Sequence, residues 1–212
     1  MSNIITTITT DFPGGGQYGA VFDGLHLWVV HVSTNLLGRY DTKGNLINTV
    51  DISAYADFCT GITVDNPFLW LVERSPKGIL KIDKKGNLIK TVVPPSTITA
   101  GYGIATDKHY LYVMDTDKLQ IAVMSKDGKL IKGITVTDAP LGLWGINFVD
   151  NNIWYTARTG DFFGKMSLGG KLISSVAVTG FQTNPHDALF DGAFHWLNGD
   201  TPDKLYKMSL PL

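Results

Sequence analysis

The sequence predicts an all-β ring of five blades with four antiparallel strands each. Three observations carry the prediction: residue columns that recur every 42 positions, strand-like runs between turn residues in each repeat, and an N-terminal run that supplies the one strand the last repeat lacks. Gly19, Gly61, Gly103 and Gly145 stand 42 residues apart, and Asp187 stands one period further on. Trp28, Trp70, Tyr112, Trp154 and Trp196 keep the same interval, as do Asp41, Asp83, Ser125, Ser167 and Ser209. Gly44, Gly86, Gly128 and Gly170 follow that last column by three residues. Asp23, Asp65, Asp107 and Asp191 form a further column, with Asp150 displaced by one residue in the fourth unit. No insertion or deletion interrupts the columns.

Each unit reads as four strands. In the first they run roughly from Gly19 to Phe22, His26 to Val32, Leu36 to Tyr40 and Asn45 to Ile52. Runs such as Leu27-Trp28-Val29-Val30 are rich in β-formers, and turn residues such as Asp23-Gly24 and Thr42-Lys43-Gly44 bound them. No segment has the period or length of a helix. A repeat of about 40 to 45 residues with four strands is the unit of a β-propeller. Repeats start near Gly19, Gly61, Gly103, Gly145 and Asp187, and the fifth stops at Leu212 before its outer strand. Ile4 to Ile8 align one period before Leu46 to Val50, so the N-terminus is expected to complete the last blade and cover its open edge. An open solenoid would have no use for a strand borrowed from the other end. Residues 1–212 then form a single domain.

Composition narrows the function classes. The chain is 44% hydrophobic with a formal charge of -1, and it has no basic run of the kind that neutralises phosphates, which argues against a nucleic-acid partner. A single cysteine, Cys59, excludes an internal disulfide framework. No apolar stretch approaches the length of a membrane span, and Met1 to Asp11 lack the pattern of a secretory leader. The expectation is a monomer without membrane insertion, cytoplasmic by default, and association with a virus particle would leave the same sequence.

The segments Val21-Phe22-Asp23-Gly24-Leu25-His26-Leu27-Trp28-Val29 and Thr63-Val64-Asp65-Asn66-Pro67-Phe68-Leu69-Trp70, together with the Asp-x-x-Gly turns, resemble the blades of NHL-type and streptogramin-lyase-like propellers. Similar units occur in tail and adhesion proteins of phages and bacteria. The resemblance spans the chain and implies the fold; one propeller scaffold hosts many activities. For the lyases it implies acidic and histidine residues at the channel mouth working with a divalent metal. Glu73 resembles the glutamate that follows the blade tryptophan in that family, and Pro185-His186 its Pro-His approach to an inner strand. The departures are that those lyases have seven blades, and that no acid-x-histidine pair follows the blade tryptophans here.

In a propeller, the loops leading into the inner strands and those joining second to third strands crowd one face, where ligands usually bind. Regular columns are structural, so function is sought where equivalent positions differ. One residue before the glycine column lie Tyr18, Thr60, Tyr102, Trp144 and His186, and three after the tryptophan column lie His31, Glu73, Asp115, Ala157 and Gly199. Arg74, Arg158 and Asp200 follow directly. Aromatic faces beside carboxylates and arginines suit a sugar or other polar small molecule; alternatively Tyr18, Tyr102 and Trp144 plug the channel and the charges are solvated loop residues. His31, Glu73, Asp115 and His186 are the candidates for a divalent cation, and Glu73 with Asp115 for paired carboxylates. His109 and His195 fall in the tight turns of the opposite face. Gly14-Gly15-Gly16 reads as a flexible approach to the first inner strand, and no serine-nucleophile, phosphate-loop or zinc pattern is found. The leading expectation is a non-enzymatic binding module for a glycan, small polar ligand or protein surface, with Tyr18, His31, Glu73, Arg74, Tyr102, Asp115, Trp144, Arg158 and His186 as ligand-binding residues. The alternatives are a small propeller hydrolase or lyase using Glu73 and Asp115, and a structural or host-attachment domain of a viral or cell-surface assembly.

Overall fold

The computed structural model describes residues 3–10, 16–74, 78–179, 183–201 and 203–209. It is a five-bladed β-propeller of four-stranded antiparallel sheets. From the axis outward, the first blade runs Gln17–Phe22, Leu27–His31, Leu36–Tyr40 and Leu46–Asp51. The second runs Cys59–Asp65, Phe68–Glu73, Gly78–Asp83 and Leu88–Val92, and the third Gly101–Thr106, Tyr110–Asp115, Gln120–Ser125 and Leu130–Thr135. The fourth runs Leu143–Val149, Asn152–Ala157, Phe162–Met166 and Leu172–Ala177. The fifth takes Thr183–Phe190, His195–Thr201 and Asp203–Ser209 from the C-terminal end, and Asn3–Thr9 from the N-terminal end as its outer strand. Ile8 pairs with Leu205 and Thr9 with Lys204, so the ring closes within one blade as expected. Ile4 and Ile5 are exposed like Leu46 and Ile47, Leu88 and Ile89, and Leu130 and Ile131 one, two and three periods on, which marks the same outer-strand position.

The inner strands meet backbone to backbone. A Cβ on Gly61 would lie 2.5 Å from the Tyr102 carbonyl oxygen, one on Gly103 2.5 Å from that of Trp144, and one on Gly145 2.5 Å from that of His186. Only glycine permits this approach. At the fifth place Asp187 fits because its carboxylate is built into the junction: Oδ2 accepts from the Ala20 amide at 3.1 Å and Oδ1 from the Ala188 amide at 2.9 Å. Complete burial pushes this carboxyl well above its ordinary value of 3.8, against the lowering effect of the two amides.

Five apolar cores fill the wedges between neighbouring blades, each holding one aromatic of the 42-residue column: Trp28, Trp70, Tyr112, Trp154 and Trp196. Four of these keep their polar atom paired inside the core. The Trp28 indole donates to Asp23 at 2.9 Å, Trp70 to Asp65 at 3.4 Å and Trp196 to Asp191 at 2.8 Å, while the Tyr112 hydroxyl donates to Asp107 at 2.9 Å. Three of these aspartates also accept turn amides, Asp23 from Leu25 and His26, Asp107 from His109 and Tyr110, and Asp191 from Ala193 and Phe194, so one residue type sets both the turn and the core aromatic. In the outer turns Asp41, Asp83, Ser125 and Ser167 accept the amides two and four residues on, ahead of glycines held at φ near +90°.

The fourth blade departs, and the departure explains the displaced Asp150. Val149 stands at the aspartate position and offers no acceptor to Trp154. His195 covers that indole instead, with centroids 4.0 Å apart, and also contacts Phe163 and Phe190. The sequence reading places His195 in a tight turn of the opposite face; it begins a strand and is buried, and burial pushes it down to about 4, so it is neutral at physiological pH.

Two outcomes follow from the inner ring. Gly103→Ala must push against a neighbouring carbonyl and should cost about 1–3 kcal/mol in urea unfolding, whereas Gly169→Ala, whose Cβ would find its nearest neighbour at 3.6 Å, should be close to neutral. For Asp187, both folded and unfolded chains hold the proton below pH 3.8, and above it the unfolded chain releases its proton first, so the raised folded value makes stability fall as pH rises. The melting temperature of Asp187→Gly relative to the parent should therefore climb between pH 4 and pH 8; a constant difference would contradict the assignment.

Candidate functional site

Every pairing of an inner with a second strand carries a register shift at the start of the inner strand: between Gln17 and Ala20, Cys59 and Gly61, Gly101 and Ile104, Leu143 and Ile146, and Pro185 and Asp187. A bulge re-aims the side chain it carries, and the residue before each glycine-column position sits there. This brings the predicted mouth residues together. Tyr18 lies 4.2 Å from His186, His186 4.7 Å from Trp144, and Trp144 4.3 Å from Tyr102, centroid to centroid. Tyr18 also approaches Trp144 at 5.7 Å. These four rings form one contiguous layer at the loop-rich mouth. The fifth position, Thr60, is buried with its hydroxyl against the Tyr102 carbonyl at 3.1 Å, and so closes the ring structurally.

Arg74 and Arg158 stand over this layer. The Arg74 guanidinium lies 4.9 Å from the Tyr102 centroid and that of Arg158 4.6 Å from Trp144. Arg158 is held by donation of Nε–H to Asn184 Oδ1 at 3.1 Å, and Asn184 is placed by donation of its amide to Asp161 at 2.9 Å. Among the described residues neither guanidinium has a carboxylate partner. The two cations over the stacked rings have guanidinium donors to spare and can receive a carboxylate or sulfate.

His31, Glu73 and Asp115 are placed differently. All three are buried at the ends of second strands. Glu73 accepts the Asp57 amide at 2.8 Å, and Asp115 accepts the Thr99 amide at 2.7 Å and its hydroxyl at 3.0 Å. Each acceptor is sixteen residues after its donor, the same step that joins the Val32 amide to the Gly16 carbonyl, Arg74 to Phe58, Thr116 to Ala100 and Arg158 to Gly142. These carboxylates therefore pin the loop that leads into their own blade. Burial raises the Glu73 carboxyl, and His31, 3.4 Å from the Tyr40 hydroxyl, is pushed by burial down to about 4. His186 Nδ1 lies 3.2 Å from the Gln17 carbonyl oxygen, within the aromatic layer. Among the described residues, no three His, Cys, Asp or Glu side chains converge as a metal ion would require, so His31, Glu73, Asp115 and His186 do not form the divalent-cation cluster that their residue types allowed.

Sequence reasoning missed two members of the site. Phe58 reaches Tyr18 edge-on at 6.1 Å, and Asn184 holds Arg158. Both have positive φ, +53° and +52°, in a column whose other left-handed members are Gly16 and Gly142, so a side chain standing where the repeat uses glycine was the available signal. Gly14, Gly15 and Pro202 lie outside the described residues, as does the Asp200 side chain.

No protein-family model and no curated protein matches the sequence. Solved structures do match in fold. Glutaminyl cyclase from Myxococcus xanthus superposes with a TM-score of 0.81 at 13% identity, over 98% of this chain and 95% of that one. A catalytically inactive virginiamycin B lyase from Staphylococcus aureus, solved with quinupristin, gives 0.59 at 18% identity over 94% of this chain and 68% of that one. A chain of a nidogen/laminin complex gives 0.63 at 14% identity over 85% and 88%. At these identities the likeness is one of fold, the β-propeller, a scaffold that carries enzymes as well as interaction domains.

Proposed function

We propose that the chain is a non-enzymatic binding module that takes an acidic sugar, free or as a unit of a glycan, at the loop-rich mouth. The observation that supports this most directly is the pair of guanidinium groups, Arg74 and Arg158, over adjoining Tyr102 and Trp144 rings with no carboxylate partner among the described residues. Tyr18 and Trp144 are the half-buried rings of the layer and offer their open parts to the apolar face of a sugar, and the two cations select a ligand that carries negative charge. The five-bladed ring holds the layer rigidly, so little ordering cost falls on binding.

A hydrolase or lyase built on Glu73 and Asp115 has less in its favour. Both carboxylates are buried and engaged by loop amides, whereas a general acid or base must reach the atom it protonates.

Calorimetry with D-galacturonate and D-galactose separates the readings. The acid should bind and the neutral sugar should bind at least tenfold more weakly. Trp144→Ala and Arg158→Ala should each weaken galacturonate binding tenfold or more, about 1.4 kcal/mol. Glu73→Gln should leave affinity unchanged; a chemical turnover that Glu73→Gln abolishes would replace this reading with the enzymatic one.

A further inference from the structure

The other end of the ring holds a cavity with a chemically different lining. There the inner strands finish in the column Phe22, Val64, Thr106, Phe148 and Phe190, all of which line a cavity of about 340 Å3. That volume lies within the range of small-molecule pockets, about 300–1,000 Å3. The three phenylalanines also pack on their blade cores, so their rings are fixed walls: Phe148 lies 5.4 Å from Tyr112, and Phe190 4.8 Å from His195.

Two charged side chains join this lining, Lys108 and Asp150, from neighbouring blades. Their backbone positions set them apart. They belong to the turn column Gly24, Asn66, Lys108, Asp150 and Gly192, where φ is +96° at Gly24, +76° at Lys108, +49° at Asp150 and +96° at Gly192. Glycine is the residue suited to this conformation, and units one and five use it with open space around the missing side chain. The third and fourth units instead bear a cation and an anion, both exposed at the rim of the cavity. Asp150 forms with Asn151 a two-residue hairpin turn between Val149 and Asn152 in which aspartate is an ordinary occupant, whereas a lysine at Lys108 is not the residue that this backbone favours. Lys108 is the strained member of the pair, and strained positions cluster at ligand clamps. Among the described residues neither side chain is in an ion pair, with the other or with any third group.

We infer that this cavity binds a free α-amino acid with a large apolar side chain. The ammonium group goes to Asp150, the carboxylate to Lys108, and the side chain lies against Phe22, Phe148 and Phe190. A ligand with one charge would pair with only one of the two rim charges, and a purely apolar one with neither. The site lies at the opposite end of the channel from the aromatic layer and does not depend on the sugar-binding reading.

The test uses the full chain and L-phenylalanine as the probe in calorimetry, with 3-phenylpropionate, phenethylamine and glycine as comparators. L-phenylalanine should bind saturably, 3-phenylpropionate and phenethylamine at least tenfold more weakly, and glycine not measurably. Lys108→Gly and Asp150→Gly place in each turn the residue that two other units already use, so melting temperature should hold or rise while L-phenylalanine affinity drops tenfold or more. Arg158→Ala, at the other mouth, should bind L-phenylalanine as the parent does. Absence of saturable binding at millimolar L-phenylalanine, undiminished binding by both glycine variants, or equal affinity for 3-phenylpropionate would each overturn the proposal.

Discussion

The close approach of the inner strands governs the rest of the molecule. Where Gly61, Gly103 and Gly145 face the carbonyls of Tyr102, Trp144 and His186, no Cβ fits, and five blades can share one axis only because the sequence puts glycine there. At this level neighbouring inner strands touch backbone to backbone. Side chains therefore gather at the two ends, and the register shift next to each glycine-column position turns the preceding residue toward the loop-rich mouth. The aromatic layer is thus a consequence of the same packing that makes the ring small.

The two ends differ chemically, although both arise from equivalent positions in a repeat. One end gathers Tyr18, Tyr102, Trp144 and His186 beneath two arginines. The other gathers phenylalanines with Lys108 and Asp150. In each case the distinctive residues depart from a column that is otherwise regular, and the departures are tolerated because the five interblade cores and the ladder hydrogen bonds fix the backbone independently of them. Asp187 shows the limit of that tolerance: it enters the glycine column only by surrendering its carboxyl to two amides in a buried junction.

The fold was legible in the sequence because a propeller repeats its constraints. Each blade needs the same close approach, core aromatic and turn acceptor, so Gly61, Trp70 and Asp83 announce themselves by spacing alone. The mouth ring was legible for the same reason, being fixed one residue from a column. The roles of Glu73 and Asp115 were not, because spacing cannot distinguish a carboxylate facing a ligand from one turned back to an amide sixteen residues earlier. Phe58, Asn184 and His195 were missed for a related reason. Phe58 and Asn184 owe their place to a left-handed backbone position that only Gly16 and Gly142 hint at, and His195 to an indole that Val149 leaves without an acceptor.

The five tryptophans allow the central claim, ligand binding on the aromatic layer, to be read in one spectrum. Trp28, Trp70 and Trp196 donate their indole N–H groups to aspartates of the turn column, Trp154 lies beneath His195, and Trp144 alone among them belongs to the layer. Titrating the 15N-labelled chain with D-galacturonate and following the indole N–H resonances is the most direct measurement. The account predicts that the Trp144 resonance moves to saturation while the other four stay in place. A bound ligand that leaves Trp144 unmoved, or that shifts Trp154 in its stead, would contradict it.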